Sequence, residues 1–478
     1  MASMTGGQQM GRGSMNKPQS WEARAETYSL YHFTDMPSLH QRGTVVVTHG
    51  EGPYIVDVNG RRYLDANSGL WNMVAGFDHK GLIDAAKAQY ERFPGYHAFF
   101  GRMSDQTVML SEKLVEVSPF DSGRVFYTNS GSEANDTMVK MLWFLHAAEG
   151  KPQKRKILTR WNAYHGVTAV SASMTGKPYN SVFGLPLPGF VHLTCPHYWR
   201  YGEEGETEEQ FVARLARELE ETIQREGADT IAGFFAEPVM GAGGVIPPAK
   251  GYFQAILPIL RKYDIPVISD EVICGFGRTG NTWGCVTYDF TPDAIISSKN
   301  LTAGFFPMGA VILGPELSKR LETAIEAIEE FPHGFTASGH PVGCAICLKA
   351  IDVVMNEGLA ENVRRLAPRF EERLKHIAER PNIGEYRGIG FMWALEAVKD
   401  KASKTPFDGN LSVSERIANT CTDLGLICRP LGQSVVLCPP FILTEAQMDE
   451  MFDKLEKALD KVFAEVAAAA LEHHHHHH

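Results

Sequence analysis

Two residues in this sequence stand where a parallel β-sheet opens onto a ligand. Ile265-Pro-Val-Ile-Ser-Asp270-Glu271 sets a carboxylate directly after an apolar run, and Ala294-Ile-Ile-Ser-Ser-Lys299 does the same with an amine. The C-terminal edge of such a sheet is the usual ligand crevice. A lysine at the end of a buried strand must be paired, depressed in pKa or covalently occupied, because an isolated ammonium is costly away from water. Each residue alone is equally well explained as a strand-end salt bridge. Together, on strands that can be sheet neighbours, they suit a cofactor held as a Schiff base whose ring nitrogen needs an acidic partner.

An anion site is available separately in Thr128-Asn-Ser-Gly-Ser-Glu-Ala134, where a strand-like run ends in a Ser/Gly turn that starts a helix. Free amides at a helix N-terminus, with the hydroxyls of Ser130 and Ser132, bind phosphate without a lysine. A plain N-cap reads the same way, with Glu133 in the first turn for dipole reasons. Gly275-Phe-Gly-Arg-Thr-Gly280 matches G-x-G-x-x-G, but Asn281-Thr-Trp-Gly-Cys-Val-Thr-Tyr288 after it has no helical pattern. A pyrophosphate would lack its helix end, so a dinucleotide site is rejected. Cys344-Ala-Ile-Cys347 lies in an apolar helical pattern and reads as buried thiols, not as a redox or metal pair. No metal site is expected.

These residues need a sheet to hold them. Short apolar runs at Val125–Tyr127, Ile157–Trp161, Phe190–Thr194, Ile231–Phe235, Ile265–Ser269, Ala294–Ser298 and Gly309–Leu313 alternate with amphipathic stretches. Strands alternating with helices imply crossover connections and a mainly parallel sheet covered on both faces. Ahead of them, Thr44–Ala66 alternates around two turn signals and reads as an antiparallel meander. Behind them, a helical pattern over Ala345–Ile377 leads to Ile383–Glu396, a helix over Ser412–Leu424, short strands at Leu426–Cys428 and Val435–Cys438, and a last helix over Thr444–Val466. The reading is an α/β fold, with a large domain at 76–340 and a smaller α+β domain at 341–467 joined by an N-terminal segment at 15–75. Residues 1–14 read as an expression tag, and 468–478 as linker and histidine tail.

Composition narrows the partners. The chain has 478 residues, 44% hydrophobic and 22% charged, which excludes disorder for most of its length. A net charge of −11 argues against nucleic acid or an anionic membrane as the main partner. No apolar run reaches the roughly 18 residues of a membrane span. Eight scattered cysteines fit reduced thiols, and with the polar start they point to the cytoplasm.

In one order, S-G-S-E-A-N, A-E-P with a glycine-rich run, D-E-V-x-x-G-F-G-R-T-G and S-K resemble the class III aminotransferases, pyridoxal-phosphate (PLP) enzymes of fold type I with a seven-stranded sheet. The resemblance covers about Ser20 to Val466 and is greatest to the bacterial amine-pyruvate transaminases, often called ω-transaminases. It implies that Lys299 forms the Schiff base with the cofactor and then moves the proton, and that Asp270 keeps the ring nitrogen protonated. It implies that Val272 and Tyr164 pack on the two faces of the ring. It gives the phosphate to Gly131 and Ser132, joined by Phe335 and Thr336 from the second subunit of a homodimer. Glu237 resembles the acid that the family places near the cofactor, to orient the ring or to pair with an arginine.

The substrate follows from the same comparison. Arg429, in Cys428-Arg-Pro-Leu-Gly432, corresponds to an arginine that meets a substrate carboxylate and swings away for an uncharged amine. A guanidinium clamps carboxylate bidentately, which suits a keto acid. Members acting on ornithine or 4-aminobutyrate tend to carry an arginine before the Pro-Pro pair, where Val436-Leu-Cys-Pro-Pro440 is apolar. Phe33, Trp71 and Phe99 are candidates to line an aryl or alkyl pocket, and Val167 to set its size. The expected reaction carries an amino group from a primary amine to pyruvate, giving a carbonyl compound and L-alanine with ping-pong kinetics. The alternatives are a diaminopelargonic-acid aminotransferase and a decarboxylase or aminomutase of the same fold.

Overall fold

The computed structural model describes residues 17–476, so the tag expected at 1–14 lies outside the described residues. Apolar runs too short for helices pair into one seven-stranded sheet, in the order β4 (Arg124–Thr128), β10 (Gly309–Leu313), β9 (Ala294–Ser297), β8 (Val267–Asp270), β7 (Ile231–Ala236), β5 (Lys156–Arg160), β6 (Phe190–Leu193). Only β10 runs antiparallel to its neighbours. Side chains alternate between two cores with the period of two that a pleated strand imposes. Val267, Ile295, Ala310 and Ile312 enter one core. Ile268, Ala294, Ile296, Val311 and Leu313 enter the other. Helices on both faces explain why these strands are apolar throughout.

A third core gathers Tyr54, Leu64 and Val74 from the N-terminal segment with Val363, Phe370, Leu426 and Phe452 from the C-terminal third. The meander β1 (Val47–Glu51), β2 (Tyr54–Asp57), β3 (Arg62–Asp65) is antiparallel, and β3 takes β13 (Leu426–Ile427) in parallel. The order β11 (Ile383–Ile389), β12 (Met392–Ala397), β15 (Ser434–Leu437), β14 (Arg429–Leu431) makes a third sheet.

Four details differ from the sequence reading. The expected helix Ala345–Ile377 is two helices, Pro341–Asn356 and Leu359–Ile377, because Gly358 adopts φ +91 and ends the ladder. Arg429 comes just after the short strand Leu426–Ile427, as read, but also opens a further strand, β14, paired with Val436. A four-residue helical turn, Gly284–Thr287, follows the Gly275–Gly280 loop, too short to change the rejection of a dinucleotide site. The last helix runs on to His476, since the alanines after Val466 are strong helix formers.

Candidate active site

Strands ending at one sheet edge deliver their next residues to one cavity of about 250 Å³. Asn129 to Ser132 follow β4, Tyr164 to Gly166 follow β5, Glu237 follows β7, Asp270 closes β8 with Val272 two residues on, and Ser298 with Lys299 follow β9. Asp270 and Lys299 thus come from adjacent parallel strands.

Ser130 is the N-cap of helix Gly131–Ala148, its hydroxyl accepting from the Glu133 N–H at 3.1 Å, and the Glu133 carboxylate accepts from Asn129 N at 2.8 Å. Ser132 Oγ accepts from Val167 N at 3.0 Å. Both serine readings hold locally: the cap is formed, and the N–H groups of Gly131 and Ser132 have no acceptor within the described residues. At that helix end they suit an anion. A Cβ on Gly131 would meet the Val272 methyls at 3.1 and 3.2 Å, and one on Gly166, φ +132, would meet Ser132 Oγ. Glycine keeps this cradle open.

Asp270 is buried among donors. Oδ2 accepts from Asn135 Nδ2 at 2.9 Å and His165 Nδ1 at 2.8 Å, and Oδ1 from Val272 N at 3.0 Å. An ionised carboxylate has about four acceptor sites, so one remains for a ring N–H. Lys299 Nζ donates to Leu70 O at 3.2 Å. Burial, then the Arg429 charge, draws its ammonium down to about 8. Glu237 is pushed up to about 7, mainly by burial, and its two oxygens accept from Tyr164 N at 3.0 Å and Gly241 N at 3.2 Å. It pairs with no arginine side chain; Arg160 reaches only its carbonyl, at 2.7 Å. Val272 and Tyr164 both line the cavity. Depressed amine, acid with a spare acceptor site, anion cradle and the lining by Val272 and Tyr164 fit a phosphorylated pyridine aldehyde.

The substrate candidates divide. Arg429 makes no side-chain hydrogen bond or ion pair among the described residues, and its charge is felt at Lys299, Tyr164, Lys177 and Tyr179. Val167 is exposed beside Gly166. None of the aromatics expected for the substrate, Phe33, Trp71 and Phe99, lines the 250 Å³ cavity. Trp71 is buried at φ +75 in a cluster with Val245, Ile273 and Met392, because its carbonyl is bound by Arg278. Phe33 is exposed, edge-on to Tyr179 at 5.6 Å. Phe99 faces a second cavity of about 810 Å³ with Phe331 and His333. Phe335 and Thr336 also lie off the first cavity, on the segment after His333.

Sequence reasoning missed Asn135 and His165, the side-chain partners of Asp270. Asn135 is the last residue of S-G-S-E-A-N and His165 follows Tyr164, so a polar residue inside each motif was the signal. It also missed Asn72, Ile273 and Phe306 to Met308, which complete the wall. Among the described residues no group of His, Cys, Asp and Glu is placed to hold a metal ion.

A family model described as aminotransferase class-III matches residues 37–459. A PLP-bound aminotransferase mutant from Vibrio fluvialis is 98% identical, with TM-score 0.94 over 94% of this chain and 100% of its own. An omega-aminotransferase from Paracoccus denitrificans is 94% identical, with TM-score 0.93 over the same shares. The chloroplastic gamma aminobutyrate transaminase 3 of Solanum lycopersicum is 42% identical over 431 residues, 90% of this chain and 82% of that relative.

Proposed function

The chain belongs to the class III aminotransferases, pyridoxal-phosphate enzymes, and we propose that it takes the amino group of an uncharged aryl, alkyl or ω-placed primary amine and delivers it to pyruvate, giving a ketone or aldehyde and L-alanine. PLP, when bound, supplies an aldehyde that exchanges for an amine and a cationic ring that withdraws electrons from the substrate carbon. Lys299, drawn down to about 8, holds a substantial neutral fraction near that pH and serves as nucleophile and as the base that carries the proton. Asp270 uses its spare acceptor site to keep a proton on the ring nitrogen. The Gly131 and Ser132 amides hold the phosphate, with Phe335 and Thr336 of a second copy completing it in a homodimer. Val272 and Tyr164 flank the ring, and Glu237 orients it indirectly, by fixing the Tyr164 main chain.

The assignment of the acceptor rests on Arg429. Among the described residues its guanidinium has no hydrogen-bond or ion-pair partner, and it lies within electrostatic reach of Lys299, so a keto-acid carboxylate can enter between them. Phe33, Trp71, Phe99 and Val167 shape the donor side. The omega-aminotransferase relative supports an amine donor. The 4-aminobutyrate relatives favour a second reading, in which Arg429 receives the donor's own carboxylate. Eight free, buried cysteines agree with a reducing cytoplasm. Among the described residues no helix is long and apolar enough to cross a membrane.

The visible spectrum of the cofactor-loaded protein tests this. The cofactor band is expected to bleach with 1-phenylethylamine and return with pyruvate while alanine accumulates. A band that ignores the aryl amine and bleaches with 4-aminobutyrate overturns the uncharged-donor reading in favour of the second.

A further inference from the structure

Arg278, in the Gly275–Gly280 loop that the cofactor chemistry leaves unused, is fully buried and has no carboxylate partner. Its guanidinium is bound instead by main-chain carbonyls from three distant segments. Nη2 donates to Trp71 O at 2.5 Å, and Nη1 donates to Phe391 O at 3.0 Å and Pro439 O at 2.7 Å. The Arg278 carbonyl in turn accepts from Phe391 N at 3.0 Å, and the guanidinium lies 4.7 Å from the Phe441 ring. A Cβ on Gly390 would meet the Arg278 carbonyl oxygen, so the hairpin turn packs directly on this loop.

Such a charge is expensive to bury, and the three carbonyls offset part of that cost while Nε is left without a hydrogen-bond partner among the described residues. What it holds is one wall of the cavity. Trp71 sits at φ +75 and Lys299 at φ +48, left-handed conformations that cost of order 1–3 kcal/mol for such residues unless the surroundings impose them. Between them, Leu70 O accepts from Lys299 Nζ, Leu70 N donates to Asn72 Oδ1 at 3.1 Å, and Asn72 lines the cavity.

We infer that Arg278 is a positioning residue: by gripping the Trp71 carbonyl it sets the Leu70–Asn72 segment against Lys299, with Asn72 at the cavity, and thereby the discrimination between bulky and small amine donors. A lysine has three donors against the guanidinium's five and radiates them from one nitrogen, whereas the guanidinium fork spans carbonyls on separate segments. The discrimination rests on the proposed amine reaction; the grip does not.

The test uses the full-length protein with R278M and R278K. Hydrogen exchange is read without cofactor, and kcat/KM for 1-phenylethylamine against isopropylamine is read with it. Peptides over 68–76 are expected to exchange about tenfold faster in R278M, and less so in R278K, with peptides over 267–270 and 294–297 unchanged. The donor ratio is expected to shift by about tenfold in the same order. Uniform acceleration, or none at 68–76, overturns the grip. Local loosening with an unchanged donor ratio overturns the discrimination. If R278M does not fold, R278K carries the same arms. Failure of the unsubstituted protein to respond to any amine counts against the amine reading alone, because exchange still reports on Arg278.

Discussion

His165 Nδ1 lies 2.8 Å from Asp270 Oδ2, with both residues buried at the edge of the central sheet. An ionised carboxylate only accepts, so Nδ1 carries the ring proton. Asn135 reinforces the same oxygen. The acid is thus locked in place before any ligand arrives.

Asp270→Asn exchanges a charge for a neutral amide in a position that already has donors around it. The variant is expected to fold and to lower kcat by about 10²–10³-fold, with cofactor still retained. Single-turnover bleaching of the cofactor band measures it, and a half-reaction at the unsubstituted rate would remove Asp270 from the chemistry.

Lys299 gives a pH signature in the cofactor-free protein. Its folded value of about 8 lies below the ordinary 10.5, so the unfolded chain binds more protons between those two pH values. Stability therefore rises with pH across that window, and below it the buried ammonium carries its full cost. Lys299→Met removes the effect. Its advantage over the unsubstituted protein is expected to be greatest below pH 8 and to shrink toward pH 10.5, as read by paired melting curves. Parallel curves would show that Lys299 is not depressed.

Glu237 has the opposite slope. Raised to about 7 from 4.5, it keeps a proton that the unfolded chain loses, so its contribution falls as pH rises from 4.5 through 7. Glu237→Gln abolishes that fall. It also leaves Tyr164 N or Gly241 N facing an amide NH₂, a loss of about 1–3 kcal/mol. Chemical denaturation at pH 5 and pH 8 separates the two effects. Equal stability of variant and parent at both would show that neither main-chain bond matters.

Gly166→Ala attacks the cradle. The residue sits at φ +132 and its new methyl would run into Ser132. A loss of about 1–3 kcal/mol in stability is expected, with weaker cofactor retention on dialysis. Retention at the parental level would show that the cradle is not the phosphate site.

Arg429→Ala separates donor from acceptor. Loss of a charged hydrogen-bonding partner of about 1.5–3 kcal/mol predicts a KM for pyruvate raised roughly 10- to 10²-fold, with 1-phenylethylamine little affected. Steady-state kinetics in both substrates check it. A larger effect on the amine would place Arg429 on the donor side.

Much of this site was legible because its parts are local. An apolar run followed by Asp270 or Lys299 is a strand end wherever the strand goes, and Ser130-Gly131-Ser132 caps a helix from its own residues. The Gly358 break was less legible, since hydrophobic periodicity continues across it and only the positive φ reveals the interruption.

Sequence alone determined the strands, the helix cap and the placing of Asp270 and Lys299 at strand ends, because backbone periodicity and turn chemistry act over a few residues. Tertiary structure decided which residues share a wall. Asn135 and His165 converge on Asp270, and Trp71, Phe391 and Pro439 on Arg278, across separations that no periodicity encodes. Burial decides it: once the chain is packed, each enclosed charge must find whatever acceptors or donors packing has brought within reach.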